Sequence, residues 1–322
     1  MKICIEVVIT GKVFPFLTRN ILHDVHKYSI AFFRDECEQI NKQVNEKHMT
    51  MGDARRKKIG IFDSGLGGLY VARAVRAMLP SYDYVYLGDT LNVPYGGRSF
   101  DVIYNFSKNA IEYLFEEHNC DLVIIACNTA SVTALAKLQK EFLPNHYPDR
   151  RILGVVVPTL ESATELGATQ IGLIATEYTV RSKIYDEEIV KITPSASLYG
   201  QPTPLLVPLI ENQGEKYMDV VLNDYLEPLL AKGLDSLILG CTHYIAIKDR
   251  VREITKHRVR ILSQDEIIPP KLKDYLNRHP EMEQRLSKNG TFDIYATDVN
   301  PSFLKNVENL MGQGLEALEA SY

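Results

Sequence analysis

Two cysteines of this chain lie in closely matching surroundings. Cys127 ends the segment DLVIIAC and Cys241 ends the segment DSLILGC, and each segment runs from an aspartate through apolar residues to a small residue and the thiol. Short apolar runs of this kind are typical of buried strands, so we expect each thiol at the tip of a strand. Upstream, IGIFD at 59–63 resembles IGLIA at 171–175 at a similar separation. The chain therefore contains two similar halves, each with one thiol.

The pattern beyond residue 57 is typical of parallel α/β units, because strand-like apolar segments alternate with amphipathic helical segments. Apolar spacing predicts helices after Gly68, with Val71, Val75 and Met78 on one face, over 102–115 and over 218–230. The predicted strands are 58–62, 83–87, 121–126, 152–156, 170–175, 195–199, 235–239, 259–262 and 292–296.

Polar and reactive residues follow several of these strands. Ligands of parallel sheets bind beyond the carboxyl ends of the strands. The residues expected at those ends are Asp63, Asp89, Cys127, Thr176 and Cys241. We expect them to converge on one cleft, where two thiols address opposite faces of one small substrate. That arrangement is what a two-base racemase requires, although either cysteine taken alone is more simply a small buried hydrophobic residue.

Composition excludes several other classes of function. The 322 residues carry a formal net charge of −5, which offers no basic surface for nucleic acid. The five cysteines form no CxxC pair, which argues for a reducing compartment, and we expect a cytoplasmic protein. No local ligand spacing predicts a metal site, and no apolar run approaches the roughly 20 residues that span a bilayer.

Two glycine-rich segments supply further candidates. DSGLGG at 63–68 lacks both the GxGxxG and the GxxxxGK[ST] spacing, so it predicts no nucleotide site, but its backbone N–H groups suit a carboxylate. VPYGGRS at 93–99 predicts a loop in which Tyr95 can close over a small ligand. Each segment taken alone is more simply a structural turn.

The motifs FDSGLGG, GDTLNVPYGGRS, IIACNTAS, VPLIE and LGCTHY occur in this order. Together they resemble the glutamate racemases of the aspartate/glutamate racemase family, closely over 57–265. The resemblance implies interconversion of L- and D-glutamate, which supplies D-glutamate for bacterial peptidoglycan, without pyridoxal phosphate, metal or flavin. The chain departs from the usual family pattern at Val157-Pro158 and Thr203-Pro204, and neither departure removes a proton-transfer residue.

The resemblance also implies roles for individual residues. Cys127 would remove the α-proton of D-glutamate with the help of Asp63, and Cys241 that of L-glutamate with the help of His243. The residues implied to bind the substrate are Asp63, Ser64, Pro94, Tyr95, Gly96, Cys127, Asn128, Thr129, Thr176, Thr179, Glu211, Cys241, Thr242 and His243. The implied partner is the small-molecule substrate, and a homodimer is left open.

The implied fold is a pair of similar doubly wound α/β domains related by pseudo-two-fold symmetry, with the active site at their interface. The first would comprise 57–150 and 263–322, and the second 151–262. Residues 1–56 precede the repeat, and either a regulatory segment or simply upstream sequence fits them. Two rival functions stay open: a non-catalytic protein that clamps a small anion, which needs no thiol pair, and a racemase for aspartate or another acidic amino acid.

Overall fold

The computed structural model describes residues 8–9, 12–13, 57–212 and 214–322. Near the amino terminus, strand β1 (Val8–Ile9) pairs antiparallel with strand β2 (Lys12–Val13). Apart from these four residues, the extension expected over 1–56 lies outside the described part of the chain. Residues 56–322 form a separate unit.

Ten further strands in the described part of this unit form two parallel sheets. They are β3 (Lys58–Asp63), β4 (Tyr84–Gly88), β5 (Cys120–Ile125), β6 (Arg151–Gly154), β7 (Gln170–Ala175), β8 (Ser197–Pro202), β9 (Ser236–Gly240), β10 (Arg260–Leu262), β11 (Phe292–Ala296) and β12 (Ala317–Glu319). The six-stranded sheet has the order β12-β11-β4-β3-β5-β6, and the four-stranded sheet has the order β10-β9-β7-β8.

The two sheets repeat one topology. In the first sheet β3 lies between β4 and β5, and β6 lies outside β5; in the second, β7 lies between β8 and β9, and β10 lies outside β9. We call the first sheet with its connecting segments (58–154 and 292–319) the first lobe, and the second sheet with its connecting segments (170–262) the second lobe. Cys127 follows β5 and Cys241 follows β9, so the sequence repeat corresponds to equivalent positions in the two lobes.

Helices cover the sheets and occupy the intervals that the sequence predicted. They are Gly68–Met78, Phe100–Glu116, Asn128–Lys137, Leu143–His146, Val156–Glu165, Glu177–Arg181, Ile184–Ile192, Leu206–Glu211, Glu215–Leu230, Lys248–Ile254, Gln264–Arg278, Pro280–Glu283 and Pro301–Met311. Short 3₁₀ turns occur at Thr90–Asn92, Tyr95–Gly97 and Thr242–Ile247, and a π-helical turn at Leu138–Phe142. Val71 and Val75 are buried, whereas Met78, the last residue of its helix, is 46% exposed.

The predicted strands are all present, displaced by at most three residues at either end. The short edge strand β12 was not predicted. The predicted boundary at 150/151 would place Arg151–Gly154 in the second domain, whereas this strand pairs with β5 in the first sheet. Beyond that strand, the division into domains remains a proposal.

The central strands are buried on both faces, as expected for parallel sheets that helices cover. Every residue of β3, β4, β5 and β9 is buried. One apolar cluster joins the two lobes, since it includes Ile61 and Ile124 of the first sheet together with Leu173 and Ile238 of the second. This shared core fixes the carboxyl ends of both sheets relative to each other.

Asp83 attaches the carboxyl-terminal segment to the first sheet. The completely buried side chain precedes β4 and accepts hydrogen bonds from Asn289 N at 3.0 Å, Asn289 Nδ2 at 2.6 Å and Thr291 N at 2.9 Å. Burial by itself raises the pKa of Asp83, but the hydrogen bonds from Ser287, Thr291 and Asn289 outweigh it and lower the pKa to about 2. The folded structure therefore favours the ionised carboxylate.

We expect Asp83→Asn to destabilise the protein by about 1–3 kcal/mol at neutral pH, because an amide nitrogen would face donors that need an acceptor. A group whose pKa is lowered on folding stabilises the protein above its unfolded pKa and loses this effect as the pH falls through its folded pKa. The difference in melting temperature between wild type and variant should therefore shrink between pH 4 and pH 2, where Asp83 takes up its proton. Thermal unfolding followed by circular dichroism measures this, with Asp274→Asn on an exposed helix face as the control. An equal difference at every pH would contradict the assignment.

Candidate active site

A cavity of about 370 Å³ lies between the carboxyl ends of the two sheets and contains both thiols. Its wall consists of Ser64, Val93, Pro94, Tyr95, Gly96, Gly97, Cys127, Asn128, Thr129, Thr176, Glu177, Thr203, Pro204, Val207, Pro208, Glu211, Asn212, Cys241, Thr242 and His243. Parallel strands bring these distant segments to one edge of each sheet, which is the convergence that the sequence predicted. A larger cavity of about 490 Å³, on the far side of helix Asn128–Lys137, contains neither thiol.

Two of the predicted substrate-binding residues lie behind this wall. Asp63 and Thr179 are completely buried. Asp63 contacts the wall through Thr242, and Thr179 contacts it through Thr129 and Thr176. The other predicted residues all line the cavity.

Cys127 lies at the start of helix Asn128–Lys137. Its sulfur accepts a hydrogen bond from Ala130 N at 3.5 Å and lies 3.3 Å from Ser64 Oγ. Burial, reinforced by the charge of Asp63, raises the pKa of Cys127 to about 12, although the bonds from Ser64 and Ala130 oppose this rise. This raised pKa favours the thiol form of Cys127, while the helix N-terminus supplies part of what its thiolate would require.

Cys241 has a different set of partners. Its sulfur lies 3.8 Å from His243 Nδ1, and His243 Nε2 lies 2.8 Å from Glu211 Oε1. Burial by itself lowers the pKa of His243, but the bonds to Cys241 and Glu211 outweigh it and raise the pKa to about 10. This raised pKa favours the protonated imidazole, which lies between the Glu211 carboxylate and the Cys241 sulfur.

Asp63 connects the two lobes beneath the cavity. Its Oδ2 accepts from Gly65 N at 3.0 Å, and its Oδ1 accepts from Thr242 Oγ1 of the second lobe at 3.2 Å. Burial raises the pKa of Asp63, against the opposing effect of His243 and of these hydrogen bonds. A carboxyl group of this kind can hold a proton at a higher pH than an exposed aspartate.

Two glycines allow the lobes to touch. A Cβ atom at Gly67 would overlap Thr242 Oγ1 and come within 2.8 Å of His243 Nδ1, and a Cβ at Gly96 would lie 2.9 Å from Thr176 Cβ. The glycine-rich segments expected as turns therefore also serve as points of close approach. The carboxylate-binding role suggested for DSGLGG stays a prediction.

Tyr95 is held from behind the cavity wall. Its hydroxyl donates to Asp89 Oδ2 at 2.6 Å, and Asp89 also accepts from Asn92 Nδ2 and Thr297 Oγ1. Asp89 was expected in the cleft, but it is completely buried and lies outside the cavity wall. It contacts the wall through its hydrogen bond with Tyr95.

Sequence reasoning missed one stretch of the wall. Thr203, Pro204, Val207 and Pro208 lie between β8 and the end of helix Leu206–Glu211 and line the cavity. They carry no reactive group, and the only sequence signal was their position just before and within the VPLIE motif. Val93, Gly97, Glu177 and Asn212 also line the cavity and were not predicted.

The described residues contain neither a metal-binding cluster nor a membrane-spanning helix. No group of three or more His, Cys, Asp or Glu side chains there is arranged to hold a metal ion. Among the same residues, no helix has the length and apolar character needed to cross a membrane.

Comparison with known proteins decides the family. The model of the Asp/Glu/Hydantoin racemase family matches residues 70–263. The glutamate racemase of Persephonella marina is 37% identical over 270 residues, covering 82% of this chain and 97% of the relative. The chain belongs to the Asp/Glu/hydantoin racemase family. The glutamate racemase of Aquifex aeolicus, a further relative, is 35% identical over 263 residues, covering 80% of this chain and 96% of its own. As a member of this family the protein is an amino-acid racemase, an isomerase.

Solved structures of racemases share the fold. Glutamate racemase isoform RacE1 of Bacillus anthracis superposes with a TM-score of 0.75 at 27% identity, covering 83% of this chain and 98% of that one. The glutamate racemase of Francisella tularensis, solved in complex with D-glutamate, gives a TM-score of 0.72 at 28% identity with the same coverage. These comparisons confirm the predicted two-domain α/β fold class.

Proposed function

We propose that this protein interconverts L- and D-glutamate without a cofactor, through two cysteines that act as bases on opposite faces of the α-carbon. The observation that carries the proposal is the presence of two thiols, at equivalent positions of two lobes, in one cavity of about 370 Å³. Glutamate as the substrate is supported by the relatives, which are glutamate racemases, and by the D-glutamate bound in the Francisella tularensis structure.

The reaction removes a weakly acidic α-proton from one face and supplies a proton to the other. In the D-to-L direction the Cys127 thiolate takes the α-proton, and the thiol of Cys241 delivers its proton to the opposite face of the carbanion. Cys127 then ends as thiol and Cys241 as thiolate, so the enzyme is poised for the L-to-D direction. Two fixed groups remove the need for one base to move around the carbon.

Each thiol has different neighbouring groups that would stabilise its thiolate. Ser64, Ala130 N and the helix that begins at Asn128 supply hydrogen bonds and a dipole to Cys127, and the proposal assigns assistance on that side to Asp63, whose charge acts on this thiol. On the other side His243, oriented by Glu211, stabilises the Cys241 thiolate. Hydrogen bonds to the substrate carboxylates would bind the substrate and hold its α-carbon between the two thiols. The donors proposed for them are Ser64, Asn128, Thr129 and Thr242, with Pro94, Tyr95, Gly96, Thr176 and Thr179 shaping the rest of the pocket.

The proposal places the enzyme in the cytoplasm as a source of D-glutamate for peptidoglycan, and a homodimer fits it. The same proposal includes two domains. The first comprises 57–150, strand β6 (Arg151–Gly154) and 263–322, and the second comprises the rest of 151–262.

Circular dichroism of L- and D-glutamate tests the activity directly. Purified protein without any added cofactor should bring both solutions to the same racemic end point, because the two enantiomers have equal free energies. L- and D-aspartate in parallel samples distinguish a racemase for the shorter amino acid. Circular-dichroism signals of L- and D-glutamate that do not change with time would contradict the proposed substrate. If the signals of L- and D-aspartate were also unchanged, a protein that only binds a small anion would be favoured.

Replacing either active-site cysteine tests the two-base mechanism. Cys127→Ser and Cys241→Ser should each lower turnover about a hundredfold or more, because an alcohol is a far weaker acid than a thiol. Cys120→Ala is the matched control, since this buried thiol lies at the start of β5, outside the cavity. Near-normal turnover in either serine variant would exclude a two-thiol mechanism.

Isotope labelling tests whether each thiol serves one face. In D₂O the product enantiomer should carry deuterium at the α-carbon, while the remaining substrate stays protiated at early times. The reason is that the base that removes the proton differs from the acid that supplies one. Mass spectrometry after separation of the enantiomers measures both labels, and equal early labelling would indicate a single base.

A further inference from the structure

A buried hydrogen bond joins the second lobe to the cavity wall of the first. Tyr185, on helix Ile184–Ile192, is completely buried, and its hydroxyl donates to Asn128 Oδ1 at 2.6 Å. Asn128 follows Cys127 directly and lines the cavity, whereas Tyr185 does not. The mechanism described above makes no use of Tyr185.

The next residue is tied to the same lobe. Thr129 Oγ1 lies 2.9 Å from Thr176 Oγ1 and 3.3 Å from Thr179 Oγ1. The first two residues of the helix capped by Cys127 thus both hold hydrogen bonds to the second lobe. These bonds cross from one lobe to the other, so the position of this turn of the helix depends on the contact between the lobes.

The bond to Tyr185 determines which end of the Asn128 amide is available. Burial, with a further effect of Cys241, raises the pKa of Tyr185, so the hydroxyl keeps its hydrogen and requires an acceptor. Asn128 Oδ1 is that acceptor. The amide is planar, so Nδ2 is turned away from Tyr185, and this buried nitrogen has no hydrogen-bond partner among the described residues. A buried donor without a partner is costly, and a ligand oxygen would relieve that cost.

We propose that Tyr185 is a positioning residue, which orients the Asn128 amide so that Nδ2 donates to a carboxylate oxygen of the substrate. This inference rests on the proposed function, because it assigns a donor to the substrate of the same cavity. Tyr185 acts through Asn128 and touches neither substrate nor thiol. Its removal affects substrate binding more than the proton transfers.

Tyr185→Phe removes only the hydroxyl. KM for L- and for D-glutamate should rise about tenfold, the range expected for one lost hydrogen bond, while kcat changes less than about threefold. Tyr84→Phe is the matched control: Tyr84 is also completely buried, and its hydroxyl donates to Leu79 O at 2.7 Å, outside the cavity. The control should leave both constants unchanged. An unchanged KM in Tyr185→Phe, or a fall in kcat alone, would overturn the proposal.

A double-mutant cycle tests whether Tyr185 acts through Asn128. In an Asn128→Ala background, Tyr185→Phe should cause no further rise in KM, because there is no amide left to orient. A further rise of the same size would show that Tyr185 acts by another route.

Asn128→Asp tests the orientation independently of how well Tyr185→Phe folds. This variant keeps an acceptor for Tyr185 but replaces the Nδ2 donor by an oxygen, so KM should rise at least tenfold with little change in melting temperature. An unchanged KM would mean that the other end of the amide faces the substrate.

The proposed function and the proposed role of Tyr185 can be tested separately. A wild-type protein that does not racemise glutamate would contradict that function. Calorimetric dissociation constants for glutamate with wild type, Tyr185→Phe and Tyr84→Phe would still decide the role of Tyr185, since they measure the same binding without turnover.

Discussion

Both sheets are parallel, and the carboxyl end of every strand in a parallel sheet meets the same edge. This constraint places the segments after β3, β4 and β5 together in the first lobe and those after β7 and β9 together in the second. The shared apolar core then fixes one edge against the other. A cavity between two such edges receives side chains from segments far apart in the chain, and Cys127 and Cys241 reach it from equivalent positions.

The two thiols are equivalent in topology but not in chemistry. Cys127 caps a ten-residue helix and lies near a neutral hydroxyl and a buried carboxyl group, whereas Cys241 precedes a 3₁₀ turn and faces a cationic imidazole. In the proposed two-base reaction each thiol would serve as acid and as base. Backbone and hydroxyl donors lie beside the sulfur of Cys127, and an imidazole paired with a carboxylate lies beside that of Cys241.

Contact between the lobes is polar and close. Asp63 with Thr242, Thr129 with Thr176, and Asn128 with Tyr185 are hydrogen-bonded pairs across the cleft, and Gly67 and Gly96 provide the space that these bonds need. The shared apolar core also holds the lobes together, but apolar contacts do not orient particular atoms. The hydrogen bonds fix the orientation of individual groups around the cavity.

Local patterns in the sequence were sufficient for the two similar halves, for nearly every strand, and for Cys127 and Cys241 at strand ends. They succeed because a buried parallel strand needs a continuous apolar run and the residue after it is placed at the sheet edge by the strand itself. The family resemblance added the pairing of His243 with Cys241 and most of the cavity wall. Tertiary structure alone decided that Arg151–Gly154 joins the first sheet, that Asp63 bonds to Thr242, and that Tyr185 orients Asn128. Each of these depends on how separate segments pack against one another, and no pattern within a single segment records that packing.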